Sequence, residues 1–234
     1  CYPSGNQWIK HMARHFNEQT KIVLGIGLYE KKKSLLNLFI RFDTAFIAMQ
    51  YISFARAKIP YMGVGRNLAY LKTLFFENKG FGKYSQLASG DDDLFVNKTA
   101  SKKNTVTENH KESHTYSIPE EKWSAWIRQK KRHLTTSQFY QQSTKRILGL
   151  EYFTRIMLNA AFIIAIIKYP YPCHVLAIYG FLLFIKAIIF IVNFKRLNEN
   201  FLFLPSLIIE PLIPVFYGIL HISNYLERKK NRWS

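Results

Sequence analysis

Apolar positions along this chain follow three different patterns. Over residues 1–20, Trp8, Ile9, Met12 and Phe16 recur at helical spacing and predict a helix. Lys21–Leu28 (KIVLGIGL) is a β-branched, glycine-containing run and predicts a short buried strand. Leu35–Ala57 returns to helical spacing, with Arg41, Asp43 and Arg56 interspersed. Pro60–Tyr70 (PYMGVGRNLAY) reads as a glycine-punctuated loop entering a strand, and Lys72–Lys79 as a short helix ended by Gly80. A further helix is predicted to open at Asp91–Asp93, where carboxylates suit the positive end of a helix dipole. Residues 102–118 are polar and predict exposed strands or loops. Pro119, Glu120 and Glu121 introduce an amphipathic helix carrying Trp123, Trp126 and Ile127.

Beyond residue 146 the pattern changes to long apolar runs. Cys173–Phe194 suffices to cross a hydrocarbon core of about 30 Å, provided Lys186 snorkels or faces protein. The preceding run lies between Arg155 and Lys168, so its helix must start nearer Leu148 or snorkel both cations. Tyr-Pro-Tyr-Pro at 169–172 predicts the turn of a helical hairpin. Lys145, Arg146, Lys195 and Arg196 then share one side, cytoplasmic by the positive-inside rule. The third run, 201–226, holds Pro205, Pro211, Pro214 and Glu210 and precedes a basic tail, Arg228–Arg232. A plain crossing would put that tail outside, so a re-entrant or interfacial segment is favoured over a third crossing. The expected organisation is 1–146 cytoplasmic, 147–194 a transmembrane hairpin, and 195–234 the re-entrant or third segment with its tail.

Composition sharpens this division. The 234 residues carry 33 Lys+Arg against 15 Asp+Glu, a formal charge of +18, and 48% are hydrophobic, which excludes a disordered basic tail. Membrane-flanking cations account for much of the charge, so nucleic-acid binding is not expected. Two cysteines, Cys1 and Cys173, exclude a disulfide framework and a four-cysteine zinc site. The chain begins with Cys1 rather than Met and is expected to be a fragment or processed product.

Candidate chemistry is concentrated at two places. Three of only four aspartates are consecutive, Asp91, Asp92 and Asp93 in SGDDDLFVN, followed at once by Leu94, Phe95 and Val96. Adjacent carboxylates repel, and this run stands at the edge of an apolar core, where it suits work on a proton or cation. Trp123–His133 (WSAWIRQKKRH) would set Gln129, Arg132 and His133 within one helical turn, with Trp126 one turn earlier. Arg offers a fork for pyrophosphate, Gln orients hydroxyls, and flat rings stack on sugars. The competing reading is a basic amphipathic helix lying on anionic lipid. Other groups are weaker. His11 and His15 are four apart, but Met12 fills the position of a catalytic Glu and no third ligand is nearby, so a zinc site is not expected; His110 and His114 are expected to be solvated. Lys31–Lys33 reads as a solvated or lipid-facing cluster.

Gly90-Asp91-Asp92 with Asn97, then Trp126-Ile-Arg-Gln129-Lys-Lys-Arg132-His133, then a hydrophobic hairpin, resembles the membrane-integrated family 2 glycosyltransferases, hyaluronan synthases most clearly. The resemblance covers roughly residues 1–195. It implies an α/β fold, the acceptor-side half of a GT-A type nucleotide-diphospho-sugar transferase domain, followed by transmembrane helices. It implies an inverting transfer from a nucleotide-diphosphate sugar to a glycan or lipid acceptor at the cytoplasmic membrane face. Asp92 matches the catalytic base, and a second register selects Asp91. Gln129 and Arg132 match the residues that close over the donor pyrophosphate and acceptor entrance. Trp126, His133 and Asp93 are carried along as donor or acceptor contacts. His133 stands where the family has Trp, and Lys130 replaces a second Gln, both departures from the processive synthases. Gly63–Tyr70 resembles the loop lining the acceptor side, with Arg66 or Asn67 on sugar or phosphate. The family's divalent cation, Mg or Mn, would be held by an Asp-x-Asp motif expected upstream of Cys1, and Cys1-Tyr2-Pro3 looks like its continuation; no metal ligands are assigned within the chain. The alternative is a non-catalytic membrane subunit or degenerate relative in a polysaccharide export complex.

Overall fold

The computed structural model describes residues 1–87 and 89–231. It is mixed α/β, mostly helical, and divides into two units, Cys1–Gln141 and Gln142–Ser234, each described by itself.

The first unit is built on two small sheets. One has the order β1–β6–β3, from Tyr2–Pro3, Thr115–Ser117 and Gly27–Tyr29; β6 is antiparallel to β1 and parallel to β3. The other has the order β4–β2–β5, from Leu68–Tyr70, Ile22–Leu24 and Thr105–Thr107; β2 is antiparallel to β4 and parallel to β5. The single strand expected over Lys21–Leu28 is thus two strands in different sheets. The chain changes sheets at Gly25–Ile26, where Tyr51 Oη donates to the Gly25 carbonyl at 2.6 Å. The helix expected over residues 1–20 shrinks to α1, Trp8–Ala13, because Tyr2–Pro3 is used as a strand.

Ser34 starts α2, Leu35–Arg56, by accepting the Asn37 N–H on its hydroxyl at 3.0 Å. This helix packs against β3 and β5 and buries Ile40, Phe42, Ala45, Ala48, Tyr51 and Ile52. Its composition would suit a membrane, yet most of its apolar side chains are spent on this core. α3 (Lys72–Glu77), α4 (Asp91–Thr99) and α5 (Trp123–Thr136) follow, the last beginning later than Pro119. Residues 102–118 are less exposed than their polarity predicts. Thr105, Ser113, His114 and Thr115 are buried, and burial lowers the pKa of His114 to about 4.

Among its described residues the second unit has three α-helices, α6 (Gln142–Lys168), α7 (Pro172–Arg196) and α8 (Phe203–Asn231), which pack on one another. Among the described residues four helices, α2 and these three, are long and apolar enough to cross a membrane, which marks a membrane protein. Those of the second unit leave Ile163, Ile167, Phe181, Phe184, Leu204 and Ile208 exposed, a surface suited to lipid. The hairpin turn falls at 169–171, as expected, while α6 starts before Leu148.

Segment 201–226 is one helix without reversal between Phe203 and Asn231, although Pro211 and Pro214 lie inside it. Pro214 lacks the N–H that the Glu210 carbonyl would accept in a regular helix. Arg155 supplies it, its Nη2 donating to that carbonyl at 3.2 Å, and Tyr152 Oη donates to the Pro214 carbonyl at 2.7 Å. The Glu210 carboxylate in turn receives Arg155 at 3.1 Å and Lys186 at 3.2 Å, so Lys186 faces protein. Of the tail 228–232, the backbone is helical to Asn231, and Arg232 lies outside the described residues.

Candidate active site

The segment Gly63–Asn67 is held from beneath by Asn67. This side chain is fully buried and uses its whole amide: Nδ2 donates to the carbonyls of Ile26 (2.9 Å) and Ser113 (2.7 Å), and Oδ1 accepts from Trp8 Nε1 at 2.9 Å. Asn67 is therefore a tether, with no polar atom left for the sugar or phosphate expected of it. Thr115 Oγ1 donates to the Arg66 carbonyl at 3.0 Å, which fixes the same turn. Arg66 itself donates to the carbonyls of Leu28 and Gly27, each at 3.2 Å, and lies 4.4 Å over the Tyr29 ring.

So anchored, the turn directs the Gly65 N–H at the Asp92 carboxylate, which accepts it. A Cβ on Gly65 would stand 3.0 Å from Asp92 Cγ, so only glycine permits the approach. Gly90, immediately before the aspartates, is required on two grounds: its φ is +87°, and an added Cβ would collide with the Thr136 side chain. Thr136 Oγ1 also makes a long, 3.5 Å bond to the Ser89 carbonyl, so the end of α5 rests on the turn that opens α4.

The three carboxylates have separate environments. Burial raises the pKa of Asp92, opposed by the N–H groups of Asp93 and Gly65 and reinforced by Asp91. Asp93 turns inward and accepts the Tyr140 hydroxyl; burial raises its pKa well above the ordinary value despite that bond. It is thus part of the support rather than a group aimed at a ligand. Asp91 is half-buried at the head of the helix. Asn97 completes the frame: Nδ2 donates to the Tyr61 carbonyl at 2.8 Å, and Oδ1 accepts the Gln141 N–H at 2.8 Å.

Amphipathic α5 divides its residues between core and surface. Trp126 is 1% exposed and packs edge-on to Trp123, centroids 5.6 Å apart, which removes it from the rings open to a sugar. Lys130 is buried against Asp43 of α2, a strut between the helices. Gln129 is half-buried, and Arg132 and His133 are exposed. His133 stands over a dense part of the unit. Desolvation first, then repulsion from Lys130, Arg132 and Arg66, lowers its pKa to about 4. Arg66 of the tethered turn is thus close enough to α5 to act on His133.

Of the residues singled out from sequence, Asp92, Asp91, Arg66, Gln129, Arg132 and His133 remain disposed for chemistry, while Asn67, Asp93 and Trp126 serve as framework. Sequence reasoning missed Gly65 as the donor to Asp92, Thr136 as the rest for Gly90, and Tyr140 as the partner of Asp93; no local signal marks any of the three. Compared with protein-family models and with curated proteins, the chain matches none.

Proposed function

We propose that this chain carries the acceptor side of an inverting glycosyltransferase that moves a sugar from a nucleotide-diphosphate donor to a glycan or lipid acceptor at a membrane. The observation that carries the reading is the convergence of three segments distant in sequence. Gly65 donates to Asp92, and Thr136 rests on Gly90. A carboxylate held by a tethered turn suits a reaction that deprotonates one oxygen while another leaves as an anion, and the cations of α5 follow from the end that rests on Gly90.

In that reaction Asp92 accepts the proton of the acceptor hydroxyl as its oxygen attacks the anomeric carbon. The bond from that carbon to the diphosphate breaks on the opposite face, which inverts the centre. Arg132 offers a planar donor pair to the departing diphosphate, and Gln129 orients a hydroxyl. A raised Asp92 pKa favours proton capture without requiring a protonated resting state at neutral pH. Asp91 is the second candidate for this role.

The divalent cation implied by the resemblance does not fit Asp91–Asp93. Asp92 accepts an N–H and Asp93 an O–H, and the three form no metal-sized group among the described residues. The steps above therefore use only this chain's side chains. Placing Lys145, Arg146, Lys195 and Arg196 on the cytoplasmic side follows from their charge. A donor screen with the native protein in detergent, followed by product sizing, tests the reading. Transfer from at least one nucleotide-diphosphate sugar is expected; inactivity with every donor, in a preparation that folds, favours the non-catalytic subunit.

A further inference from the structure

His11 lies on α1, whereas His110 and Glu112 lie about a hundred residues later, in the turn leading to β6. Sheet pairing of β1 with β6 brings the two stretches together, and one ligand atom from each residue falls within 4.8 Å of the others. We propose that these three side chains form a binding site for a zinc-class divalent ion, separate from the carboxylate site and independent of the glycosyltransferase reading.

Three features point to ligation rather than to a salt bridge. His11 Nε2 stands 3.5 Å from Glu112 Oε2, too far for a good hydrogen bond. Two atoms on one tetrahedral zinc at bonds near 2.0–2.1 Å are separated by about 3.3 Å, so that spacing needs little adjustment. The other His11 nitrogen, Nδ1, is buried and has no hydrogen-bond partner. The His11 and His110 rings stack at 4.2 Å and 12°, so their nitrogens lie within reach of one ion.

Little has to be given up on binding. His110 Nδ1 accepts only a long, 3.3 Å bond from the Glu112 N–H. Opening the ring centroids to about 5 Å suits tetrahedral geometry and takes a side-chain rotation at exposed His110. Glu108 is excluded as a ligand because Arg14 and His15 hold it, each at 2.7 Å. Two imidazoles and one carboxylate favour zinc, cobalt or nickel over magnesium, which takes oxygen ligands and retains water. With three protein ligands the fourth position belongs to water.

The position gives the ion a mechanical role. His11 shares α1 with Trp8, and Glu112 adjoins Ser113; Trp8 and Ser113 are two of the three groups that hold Asn67. An ion here clamps both supports of the turn that presents Gly65 to Asp92.

The test uses the native protein in detergent, without a histidine tag. ZnCl2 is titrated calorimetrically, thermal unfolding is followed with and without Zn²⁺, and Co²⁺ is added as a spectroscopic substitute. One zinc per chain, a zinc-dependent rise in melting temperature and visible tetrahedral Co²⁺ bands are expected. Glu112→Ala and His110→Ala alter exposed positions and leave the fold intact. Each should weaken zinc binding by about 100-fold or more, at or above the upper end for losing a metal's outer-shell partner. Wild-type affinity in the double variant overturns the proposal. So does loss of binding in Cys1→Ser, which would assign the zinc to the exposed terminal thiol.

Discussion

Replacing Asn67 with alanine separates a tether from a ligand contact. The substitution removes two donated bonds and one accepted bond, leaving the Ser113 carbonyl and the Trp8 indole N–H without their partner, while the Ile26 carbonyl keeps the Thr115 N–H at 3.1 Å. Net loss is about 1 kcal/mol per bond, and a buried group left unsatisfied costs about 1–3 kcal/mol. Trp8 is only half-buried and can rehydrate, so the cost of an unsatisfied group falls on the Ser113 carbonyl and adds to the three lost bonds. The sum is roughly 3–5 kcal/mol, which corresponds to a fall in melting temperature of roughly 6–20 °C for a unit of this size. Intrinsic fluorescence during heating of the detergent-solubilised protein reads it directly, since Trp8 is one of the reporters. An Asn67→Ala protein that melts with the wild type but binds donor or acceptor more weakly would refute the tether.

Three further perturbations test the site and the membrane unit. Gly65→Ala sets a methyl group against the Asp92 carboxylate and removes a bond to a charged acceptor, so transfer should slow by roughly 10–100-fold and stability should fall by about 1–3 kcal/mol; equal rates and equal stability would contradict the contact. The native pKa of His133 lies below its unfolded value of 6.5, so its contribution to stability is full above that pH and is lost as pH falls from 6.5 towards 4. The full shift corresponds to about 3 kcal/mol, reduced to about 1–2 kcal/mol by solvent at this exposed ring; stability curves for wild type and His133→Gln that run parallel from pH 7.5 to 4 would contradict it. Glu210→Leu leaves Lys186 without its carboxylate, while Arg155 keeps Glu151 and the backbone carbonyl of residue 210, and should destabilise the three-helix unit by about 1–3 kcal/mol, with recovery when Lys186 is also made apolar; an unchanged unfolding temperature for the single variant would show that the network contributes nothing.

Local pattern made the helices legible. Helical spacing marks α2, three aspartates at its head mark α4, and Tyr-Pro-Tyr-Pro marks the turn between α6 and α7. Pairings over long separations were not legible. Ile22 is set opposite Thr105 and Gly27 opposite Thr115, and nothing within Lys21–Leu28 says that its halves join different sheets. The same limit explains the site. Asn67, Asp93 and Trp126 are residue types that bind sugars well, and they are equally the types that satisfy buried carbonyls, hydroxyls and cores. Burial decides between those uses, and it depends on segments dozens of residues away, as Tyr140 does for Asp93. Glu210 and the cations of α6 and α7 looked like obstacles to membrane insertion. Their mutual pairing, together with the Arg155 bond to the carbonyl freed by Pro214, makes a proline-containing helix compatible with its neighbours.

The central claim is that Asp92 is the base. Asp92→Asn retains the shape of the side chain and an oxygen for the Gly65 N–H, while removing the capacity to take a proton. Transfer to acceptor by the native protein and its Asp92→Asn variant, measured beside nucleotide-sugar binding by each, tests it most directly. The account predicts abolished transfer with donor affinity preserved. Normal turnover by the variant would contradict it.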